Sequence, residues 1–580
     1  MRKRRAITLL LALLSASTFF PPTVGDASAQ TVIDSAEARR AYRFLAEATF
    51  GARAVDVRHL ATDLKSDYQA WINEQTAHAT RFSYVETAKK FPCSVAAGQK
   101  ISAAVGKIIT SICPSDVSQV FWLGAVLDSA QLRQRVAFAL SQIFVISVED
   151  GALTNWGNAS AAYADVLYRD AFANFRTLLE DVTRSDAMGK FLSYLYNTKG
   201  AAATASTPGT VPDQNFAREV MQLFTIGLVQ LDSSGRPVLD TATGKPIPTY
   251  SQNDVVGASN VMTGFGPRDL PTNIAYDFKY GAPLYGREDY QFSPIVAYPQ
   301  YHATIEKRFL GVTIPASSIP NPDGDLKVFL DTLFHHSNVG PFIGKQLIQR
   351  LVTSNPSPAY VHRVAAVFVN NGAGVRGDLA AVVRAVLVDP EARSDASVAA
   401  PTFGKIREPI LRMSQLLRVF NANPGADGTF GFNPYDSTLQ LGQYPFLAGS
   451  VFNFYYPDFT PPLSALASKH LVSPEMQITT TETVYRLDQF LTPIFAQAGW
   501  YVGGTTPGYL FTLDYRGWLP LVASGVVVDD LNLVFLSGQM SSRLRSDILA
   551  ETAATTGGEQ AKFARALRVL FASPEYIVQK

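Results

Sequence analysis

Cysteine is nearly absent from this sequence, which has only Cys93 and Cys113 in 580 residues. The two do not form a CxxC pair, and no zinc-type cysteine cluster, glycine-rich phosphate loop, HExxH or GxSxG motif is present. These absences exclude the kinds of site that a short motif reveals, such as a P-loop, a HExxH metalloprotease or a nucleophile-elbow hydrolase. Any catalytic site must be assembled from residues scattered along the chain.

Charge is also scarce, at 17% of residues against 47% that are hydrophobic, and the formal net charge is +1. A balanced charge gives no reason to expect nucleic acid or an anionic membrane as a partner. No low-complexity tract and no Pro/Gly/Ser-rich linker divides the chain. We therefore expect one body with a large core.

The one long apolar run lies near the N-terminus, from Ala6 to Phe20. Four basic residues precede it, and the small residues Ala27-Ser28-Ala29 follow it. This order is typical of a secretory signal peptide, here residues 1–29. The run is shorter than the roughly 20 residues of a membrane span, so no transmembrane anchor is expected after cleavage. Cleavage removes four basic side chains and one acidic one, which changes the net charge to about −2. The predicted location is secreted or periplasmic.

Export places Cys93 and Cys113 in an oxidising compartment, which favours a disulfide between them. In the chain-entropy model, closing a loop of this length contributes roughly 3 kcal/mol to stability. Two free thiols and a catalytic pair are the alternatives.

Apolar residues recur with helical spacing along most of the mature chain, so the predicted fold is mainly α. One helix is expected at about 54–76, and a long helical stretch is expected from 116 to 147, with the strongest helical pattern of the chain at 132–140. Another helix is expected to begin with Ser251 as its cap and to be ended by Gly264. After Gly227 the pattern becomes strand-like, with turns at 232–235 and 243–244, which predicts a small β-hairpin. We divide the body into a main helical lobe with the hairpin inserted, residues 30–398, and a C-terminal helical lobe packed on it, residues 399–580.

Two long aromatic-rich loops are predicted, at 265–301 and 430–459. Loops of this length are uncommon in compact proteins unless they have a function. Their tyrosines and phenylalanines either stack on a ligand or pin the loops to the protein itself.

The clearest single helix is predicted between Asp213 as its N-terminal cap and Gly227 as its end. One face is apolar, and the opposite face carries Asn215, Arg218, Glu219 and Gln222. This polar stripe is either one wall of a functional site or part of a buried network in which Arg218 pairs with Glu219.

Two of the seven histidines stand beside other functional groups: His302 is followed by Lys307, and His336 precedes a predicted helix. Histidine titrates near neutral pH, and burial can bring a glutamate into that range, so Glu219, His302 and His336 are the candidate acid–base residues. Arg218 and Lys307 are the candidate anion-binding residues. Two histidines and a carboxylate could instead bind a divalent metal.

Three junctions share one form: Asp389-Pro390-Glu391, Ser473-Pro474-Glu475 and Ser573-Pro574-Glu575. A proline in the first turn after an Asp or Ser cap, with a glutamate near the positive end of the helix dipole, predicts a helix start. The first and third follow similar helices, which indicates a weak internal duplication.

Several stretches, in one order from residue 37 to residue 580, resemble a family of secreted bacterial proteins known as domain of unknown function eighteen hundred. The stretches are Arg43-Phe44-Leu45 with Ala48 to Gly51, Leu132 to Ser147, Asn174-Phe175-Arg176, Asn215 to Gly227, Asp254-Val255 with Thr263-Gly264-Phe265, His302 with Lys307, His336 with Asn338 to Phe342, and Ser450 to Asn453. The resemblance implies a mostly helical extracytoplasmic protein without an established activity. It also adds Asn215 and Asp254 as candidate binding residues.

Members of that family are often encoded beside a second exported protein that resembles sulfatases and phosphatases, which implies a partner. Relatives commonly have His-Pro where this chain has Ser185-Asp186, an Arg at Asn260 and an Asp at Ala303. A metal site that needed those residues would be impaired, so we assign no metal and leave any cofactor open.

Two functions remain open. The first is a hydrolase-like enzyme for an extracellular polymer or conjugate, in which Glu219, His302 or His336 is the acid or base. The second is a non-catalytic binding or assembly protein that works with a neighbouring exported enzyme. The first requires Glu219 to lie within reach of a histidine or lysine in an open cleft.

Overall fold

The structure is a computed structural model that describes residues 34–91, 112–154, 156–204, 208–268, 278, 291–432, 441–502 and 508–580. The predicted signal peptide, Cys93 and much of the first aromatic loop lie outside the described residues. Within these ranges the chain is mainly helical, as predicted. No helix in them is both long enough and apolar enough to cross a membrane.

The first half of the chain contains eleven helices among its described residues. They are α1 (Ala36–Ala48), α2 (Ala54–Arg58), α3 (Tyr68–Ala77), α4 (Tyr84–Ala88), α5 (Pro114–Leu127), α6 (Gln131–Ser141), α7 (Gly157–Arg169), α8 (Phe175–Thr183), α9 (Asp186–Phe191), α10 (Asn215–Gln222) and α11 (Gln252–Val261).

The second half continues in the same way over its described part. Its helices are α12 (Pro322–His335), α13 (Val339–Leu351), α14 (Pro358–Val369), α15 (Leu379–Val388), α16 (Pro390–Arg393), α17 (Asp395–Ala399), α18 (Pro409–Val419), α19 (Thr481–Gln497), α20 (Val526–Leu536), α21 (Ser542–Ala554), α22 (Glu559–Ala572) and α23 (Pro574–Ile577).

The strands of the described residues are short and pair only antiparallel. The pairs are β1 (Phe265–Gly266) with β2 (Val296–Ala297), β3 (Lys307–Phe309) with β4 (Val312–Ile314), and β5 (Lys405–Ile406) with β9 (Val578–Gln579); β6 (Asn423–Pro424), β8 (Gly508–Thr512) and β7 (Gly499–Val502) form a three-stranded sheet in that order.

One hydrophobic core runs through the described chain, from Ala38 to Tyr576. Its centre is α6, in which every residue from Gln131 to Leu140 is buried. A helix surrounded on all sides has no solvent face, which is why its polar residues must find partners inside the protein. The core includes residues from both predicted lobes, and the boundary between the lobes remains a prediction.

Two predicted helices are divided in the structure. The helix expected from residue 54 to 76 becomes α2, a π-helical turn at His59–Asp63 and α3, with left-handed backbone at Lys65 and Ser66 between them. The stretch expected to be helical from 116 to 147 divides at Asp128, whose Oδ1 accepts a hydrogen bond from the Ala130 amide at 3.1 Å. Both breaks lie inside continuous apolar patterns, which hide them from the sequence.

The predicted hairpin contains a third segment. Leu231 pairs with Pro237, and Leu239 pairs with Pro246 at the next turn. The chain then returns so that Val229 pairs with Pro248. We call residues 228–250 the arm.

Candidate functional site

Helix α10 begins two residues later than its predicted cap. The Asp213 carboxylate accepts a hydrogen bond from the Asn215 amide at 2.8 Å, which ties down the first free N–H of the helix. At the other end the helix stops at Gln222, and Gly227 has φ of +72° as the chain turns into the arm. A Cβ at Gly227 would lie 2.8 Å from the ring of Phe342, so the turn needs glycine for space as well as for conformation.

Glu219 is the most unusual group on α10. Its side chain is buried, with the residue 6% exposed, and its Oε2 atom has no hydrogen-bond partner. Burial raises the pKa of its carboxyl group, and the nearby charge of Arg218 opposes that rise. In the described residues Glu219 forms no ion pair with Arg218, because the guanidinium Nη2 donates instead to the Gln252 Oε1 at 2.8 Å. The predicted alternative, in which Arg218 pairs with Glu219, is therefore not formed by these side chains.

The polar stripe of α10 faces the start of α11. The Gln252 Nε2 donates to the Gln214 Oε1 at 2.7 Å, and the Tyr250 hydroxyl donates to the Gln222 Oε1 at 3.1 Å. The exposed Asn215 lies at the N-terminal end of this row. We call Asn215, Arg218, Glu219, Gln222, Tyr250 and Gln252 the α10 patch.

His302 lies elsewhere, in a closed cluster with Asp325 and Lys307. The His302 Nε2 is 2.9 Å from the Asp325 Oδ2, and the Lys307 Nζ is 2.8 Å from the same oxygen. Lys307 also donates to the carbonyl of Ala303 at 2.6 Å. His302 is fully buried and Lys307 is 2% exposed. The structure thus brings two predicted site residues together, around an aspartate that sequence reasoning missed.

Every polar atom of the His302 ring is engaged. The Nδ1 is 2.8 Å from the carbonyl oxygen of Thr263, whose hydroxyl hydrogen is used toward the carbonyl of Asn260. Both ring nitrogens therefore lie within hydrogen-bond distance of oxygen atoms of the protein. Burial acts to raise the pKa of Asp325, but the hydrogen bonds from His302 and Lys307 outweigh burial and lower that pKa. The cluster joins the end of α11 to β3 and α12 as a structural tie.

Gly264 makes this tie possible, because its φ of +78° turns the chain just after α11 and lets the segment before His302 approach. A Cβ at Gly264 would lie 2.9 Å from the Tyr298 carbonyl oxygen and 3.0 Å from the His302 amide nitrogen. Asp325 itself occupies the first turn of α12, after Pro322. In the sequence it reads as an ordinary acidic residue at a helix start, and no local signal points to His302.

His336 lies at the junction of α12 and α13, apart from the other candidates. Its Nδ1 accepts a hydrogen bond from the Asn338 amide at 3.1 Å. Burial, with a contribution from Arg376, lowers the pKa of His336. The Asn338 side chain donates to the carbonyls of Ile226 and Val229, both at 2.8 Å, so this junction anchors the arm.

Asp254 has a structural role in α11. Its Oδ2 accepts from the Ser251 amide and hydroxyl, both at 2.7 Å, and its Oδ1 accepts from the Leu310 amide at 2.7 Å. Burial acts against these bonds, but together they lower the pKa of Asp254. The residue caps α11 and ties it to the turn between β3 and β4.

Cys113 precedes α5, and its amide donates to the Asp116 carboxylate at 3.0 Å. Because Cys93 lies outside the described residues, the disulfide stays a prediction. Over the ranges that the structure describes, no group of three or more His, Cys, Asp and Glu side chains is arranged to hold a metal ion.

Asp186, Asn260 and Ala303 all lie in the interior of the protein. Asp186 is 2% exposed, neither of its carboxylate oxygens has a partner, and burial raises its pKa well above the usual range. Asn260 donates to the carbonyl of Val256 at 2.9 Å. Ala303 accepts from Lys307 through its carbonyl and donates its amide to the Thr263 hydroxyl oxygen at 2.9 Å. None of the three side chains contacts the His302 ring through a hydrogen bond in the described residues.

Sequence reasoning also missed a group of five buried charged residues. Arg135, Arg350, Lys405, Glu408 and Glu475 lie together in the middle of the protein, and we call them the central ionic cluster. Their members come from α6, α13, β5, the residue before α18 and the turn at Pro474–Gln477. Glu475 belongs to the Ser473-Pro474-Glu475 triplet, which starts a helical turn at Pro474–Gln477 as predicted and also supplies its carboxylate to the cluster.

A comparison with known families gives one result. The model of a family described as "Protein of unknown function (DUF1800)" matches residues 43–578, which is nearly the whole described chain. No match was found among curated proteins or among solved structures. The match includes α10, the His302 cluster and the central ionic cluster in one continuous region. The chain therefore belongs to the DUF1800 family of proteins of unknown function.

Proposed function

We propose that the protein is exported and acts as a non-catalytic extracytoplasmic binding or assembly protein. One observation supports this over hydrolysis: Glu219, His302 and His336 occupy three separate surroundings, and no two of them share a hydrogen bond or ion pair in the described residues. Acid–base hydrolysis needs its groups within reach of one substrate bond.

His302 is the least suited to proton transfer. Its ring is fully buried and bonded on both nitrogens, so giving up a proton to a substrate would break the tie to Asp325 or to Thr263. His336 is kept neutral by its lowered pKa and is occupied by the Asn338 amide. These contacts favour structural roles for both histidines.

The α10 patch is the surface that best suits a ligand. It presents the guanidinium of Arg218 and the amides of Gln252 and Asn215 beside the hydroxyl of Tyr250. Donors and acceptors placed side by side in this way bind the hydroxyl and amide groups of an uncharged polymer. We propose an extracellular polymer or conjugate as the ligand, and a second exported protein resembling sulfatases or phosphatases as the partner that supplies catalysis.

Hydrolysis is the second candidate, and Glu219 is the residue that favours it. A buried carboxyl group with a raised pKa and one free oxygen is suited to act as a general acid. It requires a second catalytic group that no described contact supplies.

Polymer binding and product release, measured together, separate the two candidates. The mature protein is mixed with insoluble polymer from the cell envelope, and bound protein and soluble fragments are both quantified. We expect retention without fragments. Arg218→Ala should weaken retention about tenfold, which corresponds to about 1.4 kcal/mol.

Arg308→Ala is the matched control, because Arg308 is an exposed arginine that pairs with Glu306 outside the patch. It should be retained like the wild type. Release of fragments by the wild type that disappears in Glu219→Gln would establish hydrolysis, and no retention of the wild type would overturn the binding proposal.

A further inference from the structure

The central ionic cluster contains more positive than negative charge. Arg135 and Glu408 are fully buried, and the other three members are at most 5% exposed. Three cationic side chains face the carboxylates of Glu408 and Glu475. The charge of buried Glu47 also acts on Arg135, but that carboxylate already forms an ion pair with Arg393. Outside solvent cannot screen charges at this depth, so any imbalance must be met by another group inside the protein.

Of the four carboxylate oxygens of Glu408 and Glu475, only the Glu475 Oε2 lacks a hydrogen-bond partner in the described residues. The Lys405 Nζ lies 3.1 Å from the Glu475 Oε1 and 3.4 Å from the Glu408 Oε1, and it donates to the Arg350 carbonyl at 3.0 Å. The Glu408 Oε2 accepts from the side-chain amides of Gln142 and Gln443. Lys405 and Glu408 therefore have partners for nearly all their polar atoms.

The basic side is incomplete. Arg135 donates only through Nη2, to the Arg350 carbonyl at 2.7 Å, and its Nε and Nη1 have no partner. Arg350 donates to the carbonyls of Gln346 and Gln142 at 3.2 and 2.9 Å, and its Nε has no partner. Within the described residues neither guanidinium forms an ion pair. Three charged N–H groups are thus buried without an acceptor, although guanidinium donors are the groups that proteins most consistently pair.

The carboxylates do not remove the imbalance. Although burial opposes it, Lys405 and Arg135 lower the pKa of Glu408, which keeps that group ionised. At Glu475 the effect of burial exceeds the opposing effect of the Lys405 charge, so the pKa of the Glu475 carboxyl group is raised. The cluster therefore carries at least one excess positive charge, and an uncompensated charge at this depth costs several kcal/mol.

We propose that the central ionic cluster binds one small monovalent anion, of halide or formate size, through the free N–H groups of Arg135 and Arg350. Water would complete the hydrogen bonds but would leave the excess charge, whereas an anion does both. The side-chain amide of Gln346, whose Nε2 also lacks a partner, is a further donor beside Arg350. The cluster is sealed from solvent, so the anion is taken up as the chain folds. This inference does not depend on the proposed function.

Bromide is the probe, because its anomalous scattering distinguishes it from water. The wild-type protein is unfolded, refolded in sodium bromide and crystallised. We expect an anomalous peak within hydrogen-bond distance of the Arg135 Nε or Nη1 atom. An ordered water there, with no bromide peak, would overturn the proposal.

Thermal unfolding in solution gives a second readout. Sodium bromide replaces sodium gluconate, whose anion is too large for the cluster, at constant ionic strength. The wild-type midpoint should rise by several degrees, since a ligand bound only by the folded state stabilises it. Arg135→Met should lose the bromide dependence.

Arg412→Met is the matched control, since Arg412 is another buried arginine, 4% exposed, that donates to the Arg407 carbonyl outside the cluster. It should keep the bromide dependence. Equal dependence in both variants, or none in the wild type, would contradict the assignment.

Discussion

Glu391 accepts two hydrogen bonds from Ser357, one from its amide at 2.9 Å and one from its hydroxyl. Glu575 accepts the same pair from Ser541, at 2.8 and 2.5 Å. In both cases 34 positions separate the two residues. Each serine caps a helix, α14 or α21, and each glutamate follows the proline that starts α16 or α23.

The shared spacing and shared hydrogen bonds support an internal duplication of residues 357–391 as 541–575. The equivalent helices are α14 with α21 and α15 with α22. The chain that follows each copy enters β5 or β9, and these two strands pair with each other. The triplet Ser473-Pro474-Glu475 is different, because Glu475 pairs with Lys405 in the central ionic cluster.

Replacing either glutamate of the duplicated bond should destabilise the protein by a similar amount. Glu391→Gln and Glu575→Gln each replace a charge-assisted bond with a weaker one, for an expected loss of about 1 kcal/mol. The two losses should add, since the sites share no partner. Denaturant unfolding measures them. Glu482→Gln, at an exposed pair with Arg486, should change stability by less than about 0.5 kcal/mol; a large loss there or none at the serine sites would contradict the interpretation.

The His302 cluster should matter for stability. Asp325→Asn removes the shared partner of His302 and Lys307, and we expect a loss of about 3 kcal/mol at pH 7. Because the pKa of Asp325 is lowered in the folded state, this contribution is present above the unfolded pKa of about 3.8 and is lost as pH falls below it.

Asp323→Asn is the control for that variant, in the same turn of α12. Its side chain is 61% exposed and pairs with Arg184, so the expected change is below about 1 kcal/mol. Equilibrium unfolding at pH 7 and pH 3 compares the two. Equal effects would show that the buried cluster contributes no more than a surface ion pair.

At neutral pH, Asp186 should make the folded protein less stable than an uncharged residue of the same shape would. Its pKa is raised by burial, so the folded state holds a proton that the unfolded state releases above about pH 3.8, and stability falls as pH rises. Asp186→Asn should therefore stabilise the protein by about 1–3 kcal/mol at pH 7 and by little at pH 3.5.

Asp254→Asn should change stability in the opposite direction from Asp186→Asn, because Asp254 caps α11 and the pKa of its carboxyl group is lowered. It should destabilise the protein by about 1 kcal/mol at pH 7. Denaturant midpoints at the two pH values give both results. If both variants shift in the same direction at pH 7, the unpartnered state of Asp186 is incorrect.

Glu47 should give a distinct pH dependence near neutrality. Burial raises the pKa of Glu47 to about 7, against the opposing charges of Arg393 and Arg43. The unfolded state releases its proton near pH 4.5, so stability should fall between about pH 4.5 and 7, on the order of 3 kcal/mol, and then level off. Glu47→Gln should flatten that part of the curve, whatever its average stability. Parallel curves for the two proteins, measured by denaturant unfolding, would rule this out.

The sequence predicted those parts of the fold that depend on local chemistry. Ser251 caps α11 as expected, and the left-handed Gly264 lies three residues beyond the end of the helix at Val261. Helix α10 forms around its predicted apolar face, although it ends at Gln222, about a turn before Gly227. Caps and apolar spacing are properties of neighbouring residues, which a sequence displays directly.

The candidate site was less predictable, because its contacts join distant residues. Asp325 lies 23 positions after His302, and no local pattern links the two. In the sequence, Arg135 is only one residue of a strong helical pattern. Its hydrogen bond to the Arg350 carbonyl joins residues 215 positions apart. Burial of Glu219 without a partner depends on how α10 packs, which the helix's own residues do not determine.

The pairing of Lys405 with Gln579 has a consequence for the order of folding. Buried Gln579 also donates to the Leu351 carbonyl at 3.2 Å, so β9 ties β5 to the end of α13. Contacts of such long sequence separation form late and slowly. Until β9 pairs with β5, the Leu351 carbonyl lacks this buried partner, so the final closure of this region should come after the helices on either side have formed.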